Sequence, residues 1–388
     1  MATLAIEPRA SSRYVSSVLR SGVGSRTLGS RTLGVLLAAA GFLAAITALV
    51  SLLAAAAGHD PLQALGALWG GSLGSRYAVL SATLVRATPL VLTGLAVTLA
   101  FTAGVWNIGA EGQLLAGGTA ATVVGIAAGP SMGWLTWILA LIAGGVAGAM
   151  WALVPAWLRR RFGVLEVIST IMMNFVALYL VGYLVRGPLQ EPLRIYPQSP
   201  TLPDAAHLPI LIGGTRLHGG FLLALLCALG LWWALRSTAA GFRIRVLGSN
   251  ADAARSAGLI DVGRTALRAF LVSGMLAGLA GAVEVTGVTY SLYENLSPGY
   301  GYTAIAVALV GALHPLLTVL SGILFGALEA GASAMQRDAG IPSVLATVVE
   351  ASIIFLLLGA AAFRRSRHRA AAGRGYRAPE AAPAGEAS

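Results

Sequence analysis

The sequence predicts an all-α, polytopic integral membrane protein of about ten transmembrane helices, with both termini in the cytoplasm. Three observations lead there. Of 388 residues, 57% are hydrophobic and only 11% charged, with a mean hydropathy of +0.79; a soluble domain carries roughly 25% charged residues. Apolar runs of the length that crosses a bilayer, about 20 residues each, recur along the chain. The basic residues, all 26 of them arginine, are placed asymmetrically between those runs, as cytoplasmic loops demand.

The elements follow in order. Residues 1–33 make a basic cytoplasmic tail carrying Arg9, Arg13, Arg20, Arg26 and Arg31. The apolar run from Gly34 to Gly58 is longer than the 7–15 residues of a signal-peptide core, so it reads as the first span. Further runs cover Leu80 to Gly104, Gly109 to Ala128, Gly133 to Leu158, Val167 to Val185 and Gly220 to Leu235. Ala266 to Thr289, Tyr302 to Leu313, Leu316 to Met335 and Val344 to Phe363 complete the set. The run after Tyr302 is short, and His314-Pro315 marks a break inside a helical hairpin. The membrane domain is thus expected over residues 34–363, and residues 364–388 form a basic, Ala/Pro-rich disordered cytoplasmic tail.

The arginines test this topology. Twenty of the 26 lie in the N-terminal tail, at Arg159 to Arg161, between Arg236 and Arg268, or after Phe363. All of those segments are cytoplasmic if ten spans begin inside. The bias agrees with the positive-inside rule. The formal charge of +11 is therefore topological, with anionic membrane lipid as the partner rather than nucleic acid. The proline-rich stretch of about 187–219 becomes the largest outer loop.

Other functions are excluded by composition. The chain holds no lysine, and a P-loop needs one to reach the nucleotide phosphates. Any ATP and Mg would be used by a partner chain. No cofactor is expected here. The single cysteine, Cys227, lies in an apolar run, and the five histidines show no metal-ligand spacing. No nucleophile motif supports a membrane enzyme.

Four polar segments interrupt the apolar pattern. Trp106 precedes Asn107-Ile108-Gly109-Ala110-Glu111-Gly112-Gln113, which sets amides, a carboxylate and two glycines between two runs. A carboxylate at membrane depth is costly unless paired or hydrated, and glycines permit a broken helix lining a cavity. A polar turn at the membrane surface is the alternative. Glu166, Ser169, Thr170 and Asn174 share a helical face, which either lines a pathway or joins helices by hydrogen bonds. In the segment of about 237–263, Asn250 is a good N-cap, Asp252 suits a first turn, and Gly258 is a plausible terminator. That short helix would need a partner surface, a motor domain or the lipid interface. Finally, Ser297-Pro298-Gly299-Tyr300-Gly301-Tyr302-Thr303 mirrors the Asn107 segment in the second half, a pattern that points to a central binding site.

Five stretches resemble, in order, the permease subunits of bacterial ABC importers for nucleosides and simple sugars. They are NIGAEGQ (Asn107 to Gln113), EVISTIMMN (Glu166 to Asn174), RVLGSNADAARSAGL (Arg245 to Leu259), SGMLAGLAGAVEVTG (Ser273 to Gly287) and GYGYTAIAVALVG (Gly299 to Gly311). NIGAEGQ is similar to the nucleoside-type branch, whereas Thr303 stands where relatives are often acidic. The resemblance implies a multi-pass protein of the bacterial inner membrane. Its implied partners are a second permease, homologous or identical, an ABC ATPase and an extracellular substrate-binding lipoprotein. It makes the Asn250 helix a coupling helix, with Arg245, Gly248, Asn250, Ala253, Ala254, Arg255 and Gly258 as the ATPase-coupling residues. Trp106, Asn107, Glu111, Gln113, Ser169 and Asn174 are the expected substrate-pathway residues, suited to a ribose or base edge. A proton-coupled transporter using Glu111, Glu166 or Glu284, and a branched-chain amino acid permease, are the alternatives.

Overall fold

The computed structural model describes residues 47–342 apart from 57, 257 and 259, with 44, 348, 351, 352, 355 and 359 beyond them. The expected tails, most of the first apolar run and nearly all of the last lie outside the described residues. The helical bundle belongs to a compact unit that begins at Ser51.

Every apolar run that falls within the described residues is helical. Helix α1 is Pro61–Ser72, started by Asp60, whose side chain accepts from Leu62 N, and by Pro61 at its first turn; none of the expected spans covers it. Next come α2 (Ala78–Thr102, opening with a π-turn over Ala78–Thr83), α3 (Ala110–Ala128), α4 (Leu135–Phe162) and α5 (Glu166–Arg186). Then α6 (Gly219–Ser237), α7 (Ala239–Ser249), α8 (Ala251–Ser256), α9 (Val262–Thr289), α10 (Tyr300–Val310) and α11 (Pro315–Asp338) follow.

Six of these helices, α2, α4, α5, α6, α9 and α11, are long and apolar enough to cross a membrane. Two expected spans fall short for different reasons. Helix α3 has the length, but Glu111 and Gln113 lower its hydropathy. It is enclosed by α4, α5 and α9 and so has little need of a lipid-facing surface. Helix α10 has 11 residues, about 16 Å of rise. It ends at Gly311, after which Ala312 and Leu313 take positive φ, and Pro315 restarts the chain as α11. The break expected at His314-Pro315 is therefore a true corner.

The core gathers around α9, which packs on α2, α3 and α4. Its contacts are glycine on glycine. A Cβ on Gly278 would sit 2.7 Å from Gly148 Cα, and one on Gly274 would sit 2.7 Å from Gly148 O. A Cβ on Gly281 would strike Leu114 O, and one on Gly117 would strike Gly278 O. Small residues at these positions let backbones meet, which is how helices associate where lipid supplies no hydrophobic drive.

The two ends of the bundle differ. At one end, Ala103, Val105, Ala152, Leu247, Ala269 and Phe270 form a small separate core under α7, and Arg159 to Arg161 close α4. At the other, the 187–218 loop lies on the last turn of α9 and the chain that follows it. Gln198 bridges Tyr293, Ser199 N donates to Leu292 O at 2.9 Å, and Leu208 N donates to Thr286 O at 2.9 Å. Within that loop, Glu191 accepts from Gln198 Nε2 and Tyr196 N, both at 2.9 Å. The Gln198 bond leads in holding its carboxyl below the usual carboxylate range.

Candidate functional site

Four of the six expected pathway residues meet in one buried network. After α2 ends, residues 103–109 carry the chain to α3. Asn107, fully buried, is clamped there: its Nδ2 donates to Gln113 Oε1 (2.9 Å) and Ser273 Oγ (2.8 Å). Its Oδ1 accepts from Gly109 N (3.0 Å) and Gln113 Nε2 (3.1 Å). Ser273 passes the chain on to Ala96 O at 2.7 Å. One amide pair therefore ties α2, the start of α3 and α9 together.

Asn174 does the same from α5. Its Oδ1 accepts from Gly112 N (2.8 Å), and its Nδ2 donates to Ile108 O (2.9 Å) and to Tyr302 Oη (3.3 Å). The contact requires Gly112, since a Cβ there would sit 3.0 Å from Asn174 Cα.

Glu111 links the two halves of the chain. Its Oε2 accepts from Gly301 N at 2.7 Å across 190 residues of sequence, and Ser297 lies near the same carboxylate. Ser297 Oγ in turn accepts from Gly299 N (3.1 Å) and Tyr300 N (3.0 Å). The side chains of Glu111 and Ser297 thus satisfy amides at the start of α10 that have no partner within their helix, and the carboxylate suits the positive end of the helix dipole. A side chain on Gly301 would run into the backbone of Ala110 and Glu111.

The other two expected residues stand apart. Ser169 bonds back to Leu165 O (3.3 Å) and Glu166 O (3.1 Å) of its own helix, a habit of helical serines. Trp106 is 58% exposed, its ring 4.9 Å from that of Phe101, and only its backbone N reaches Glu166 Oε2, at 3.4 Å. Glu166 is ion-paired to Arg159. Sequence reasoning left out Ser273, Gly301 and Tyr302 as individual partners, although each lies in a stretch it had singled out.

The expected coupling segment is two helices at the Arg159 end. Thr238 caps α7 by accepting from Gly241 N at 3.0 Å. Asn250 caps α8 by accepting from Asp252 N (3.1 Å) and Ala253 N (2.9 Å), and Gly258 closes it with φ +65° and its N–H on Arg255 O. Ala254 is buried, while Arg255 pairs with Asp252 at 3.1 Å on the exposed side. Gly248 lets α7 dock on the end of α2, where a Cβ would strike Thr102 O. Arg245 and Ala253 lie on the same two helices.

The arrangement is a set of internally satisfied polar joints within an apolar bundle, with a short capped helix projecting at one end. It provides groups for holding helices in register, and a short, largely exposed helix at the Arg159 end.

A family model described as branched-chain amino acid transport system / permease component matches residues 79–358. The glucose ABC transporter permease protein TsgB13 of Haloferax volcanii is 38% identical over 340 residues, covering 84% of this chain and 88% of that one. The guanosine ABC transporter permease protein NupP of Bacillus subtilis is 38% identical over 312 residues, 79% of this chain and 88% of its own. The nucleoside ABC transporter permease protein NupB of Lactococcus lactis is 31% identical over 310 residues, covering 77% and 84%. No solved structure matches.

Proposed function

The chain belongs to the permease-component family of branched-chain amino acid transport systems, and we propose that it forms the translocation pathway of an ABC importer for a nucleoside, most naturally a purine, or a simple sugar. The observation that carries this is the pair of relatives at 38% identity, named for guanosine and glucose, that each align with more than three quarters of the chain. In this reading ATP hydrolysis belongs to separate cytoplasmic ATPase subunits, which use ATP and Mg. A second permease, homologous or identical, completes the membrane unit, and an extracellular lipoprotein delivers the solute.

The membrane arrangement follows the same reading. Beside the six long apolar helices, α3, the shorter α10 and the runs at either end would bring the membrane-embedded segments to about ten, with both termini in the cytoplasm of a bacterial inner membrane. The Arg159 end is then cytoplasmic, and α8, capped by Asn250 and closed at Gly258, is the coupling helix. ATP-driven closure of the motor would move α7 and α8 and shift the paired permeases between outward and inward access.

The test is affinity purification of the tagged chain from its native host in mild detergent, followed by mass spectrometry and uptake assays. Recovery of a P-loop ATPase and a multi-span permease, with uptake competed by guanosine or glucose, is the expected result. Uptake competed by leucine instead would move the solute to the branched-chain amino acids that the family description names. Uptake without ATP, abolished by collapsing the proton gradient, would overturn the importer.

A further inference from the structure

The joints built by Asn107, Glu111, Gln113 and Asn174 spend their hydrogen bonds inside the protein. A second set of polar groups gathers at the Arg159 end, around a cavity. It measures about 380 Å³ and lies between the end of α4, the start of α5, α8 and the start of α9. Sites for small ligands run from about 300 to 1,000 Å³. Ala156, Leu267 and the buried Phe270, all from long apolar helices, give the cavity an apolar wall. Arg159, Arg160, Arg255 and Arg264, all exposed, give it charge.

The acids of the lining are Glu166 and Asp261, and both are already engaged. Glu166 is ion-paired to Arg159. Asp261 accepts from Arg264 N at 2.9 Å and pairs with Arg264 Nε at 3.2 Å. Arg255 shares Asp252 at 3.1 Å, an exposed pair of the kind that holds a side chain only loosely. Four guanidiniums thus stand against two carboxylates, and the lining keeps an excess of positive charge. Val262 and Gly263, the first two residues of α9, line the same space. Amides at those positions have no partner within their helix, and the positive end of a helix favours an anion.

Neighbouring aromatic residues give the level of this cavity in the membrane. Trp157 and Phe162 stand exposed on the last turns of α4, edge to face with ring centroids 5.4 Å apart, and Arg161 lies 5.4 Å over the Phe162 ring. At the end of α6, Arg236 lies 5.6 Å over Trp232. Tryptophans beside arginines mark the headgroup layer. We propose that the cavity binds the phosphate of an anionic phospholipid at the cytoplasmic membrane surface, with Arg160, Arg255 and Arg264 as its donors. The lining asks for an occupant that is anionic at one end and apolar at the other; a phospholipid is both, whereas free phosphate and an acidic side chain are not. Basic pockets between membrane helices take lipid headgroups on these terms. Because Arg255 belongs to α8, a bound headgroup fastens that short helix to the ends of α4 and α9. The side of the membrane comes from the importer reading; the site does not depend on which solute is carried.

The test is native mass spectrometry of the purified complex, titrated with phosphatidylglycerol or phosphatidylcholine. Preferential retention of phosphatidylglycerol is the expected result. Arg160→Gln weakens it about fivefold, the effect of one arginine on an anionic headgroup, and Arg160→Gln with Arg264→Gln weakens it further. Arg161→Gln removes the same charge one residue away, outside the lining, and leaves retention unchanged. Leu267→Trp fills the cavity with every arginine in place and lowers retention; if that variant does not assemble, the arginine pair still decides. Equal losses in Arg160→Gln and Arg161→Gln, or equal retention of the two lipids, overturn the site in favour of diffuse surface attraction. Inorganic phosphate that displaces the lipid from the wild type makes the ligand a free anion and overturns the lipid. Retention seen only after the ATPase is stripped away puts an acidic part of the motor in the cavity and overturns it too. A chain that retains phosphatidylglycerol but brings down no ATPase fails the importer reading while the lipid site stands.

Discussion

Truncating Glu111 to alanine removes the acceptor that holds the start of α10 to the start of α3. In the structure Gly301 N–H donates to Oε2 at 2.7 Å. Glu111 is itself only 7% exposed, so water cannot take its place freely. A hydrogen bond to a charged group contributes about 1.5–3 kcal/mol, and an orphaned buried N–H costs about 1–3 kcal/mol. Against this, removing a buried carboxylate recovers part of its desolvation cost, and polar contacts in membrane proteins average only about 0.6 kcal/mol. The net loss expected for Glu111→Ala is about 2 kcal/mol, roughly a 30-fold shift toward the unfolded state. Glu111→Gln keeps an acceptor oxygen and should lose less than about 1 kcal/mol. The assay is thermal unfolding of the purified permease in detergent, followed by tryptophan fluorescence, beside solute uptake by the reconstituted complex. A joint between helices predicts a lower melting temperature in the order wild type, Gln, Ala, with KM unchanged among the variants that still assemble. If Glu111→Ala melts like the wild type but raises KM, the carboxylate is a solute ligand and the structural reasoning is wrong.

Four further outcomes are expected. Gly281→Ala, whose new methyl would strike Leu114 O, should cost at least about 1–3 kcal/mol because backbone cannot move aside as a side chain would; melting of the purified variant checks it. Asn250→Ala removes an N-cap worth about 1 kcal/mol from a helix too short to stand alone, so ATP hydrolysis by the complex should lose its stimulation by solute while the permease still melts normally. Arg186→Ala breaks a 2.6 Å pair with Glu294 that is largely exposed, and the melting temperature should hardly move, since such pairs contribute less than about 1 kcal/mol. Glu191, with its carboxyl held low by Gln198 and Tyr196, steadies the 187–218 loop above its unfolded pKa. That contribution disappears as pH falls through the lowered value, so protease cutting within the loop should accelerate in acid, and Glu191→Gln should flatten the dependence.

The legible parts of the molecule were local ones. Asn250 and Gly258 announced α8 because a cap and a left-handed terminator act within one turn. His314-Pro315 announced the corner between α10 and α11 for the same reason. Apolar runs gave the long helices but missed Pro61–Ser72, where a polar entry through His59 and Asp60 and a glycine-rich exit kept the run short. The polar joints were legible in membership but not in pairing. Glu111 and Gly301 stand 190 residues apart, and nothing in either segment names the other. Ser169 shares a helical face with Asn174, yet its hydroxyl turns back to its own carbonyls, a choice that helical periodicity does not decide. Trp106 follows the turn of the chain onto Phe101 rather than into the network beside it. Glu284 was visible as an acid within a span; its burial beside the π-turn of α9 required the neighbouring helices to be in place.

The glycine seam of α3, α4 and α9 bears on how such a molecule moves. Where backbone meets backbone with no side chains between, there is no soft layer to shear. Sliding α9 by one residue would put Leu279 or Ala277 where Gly278 now faces Gly148, and the gap has no room even for a methyl group. These three helices therefore travel as one gear, and each cycle of access has to be taken up at their borders. Helix α6, by contrast, enters the shared core through the side chains of Ala224 and Ala228, and a layer of side chains can repack where bare backbone cannot.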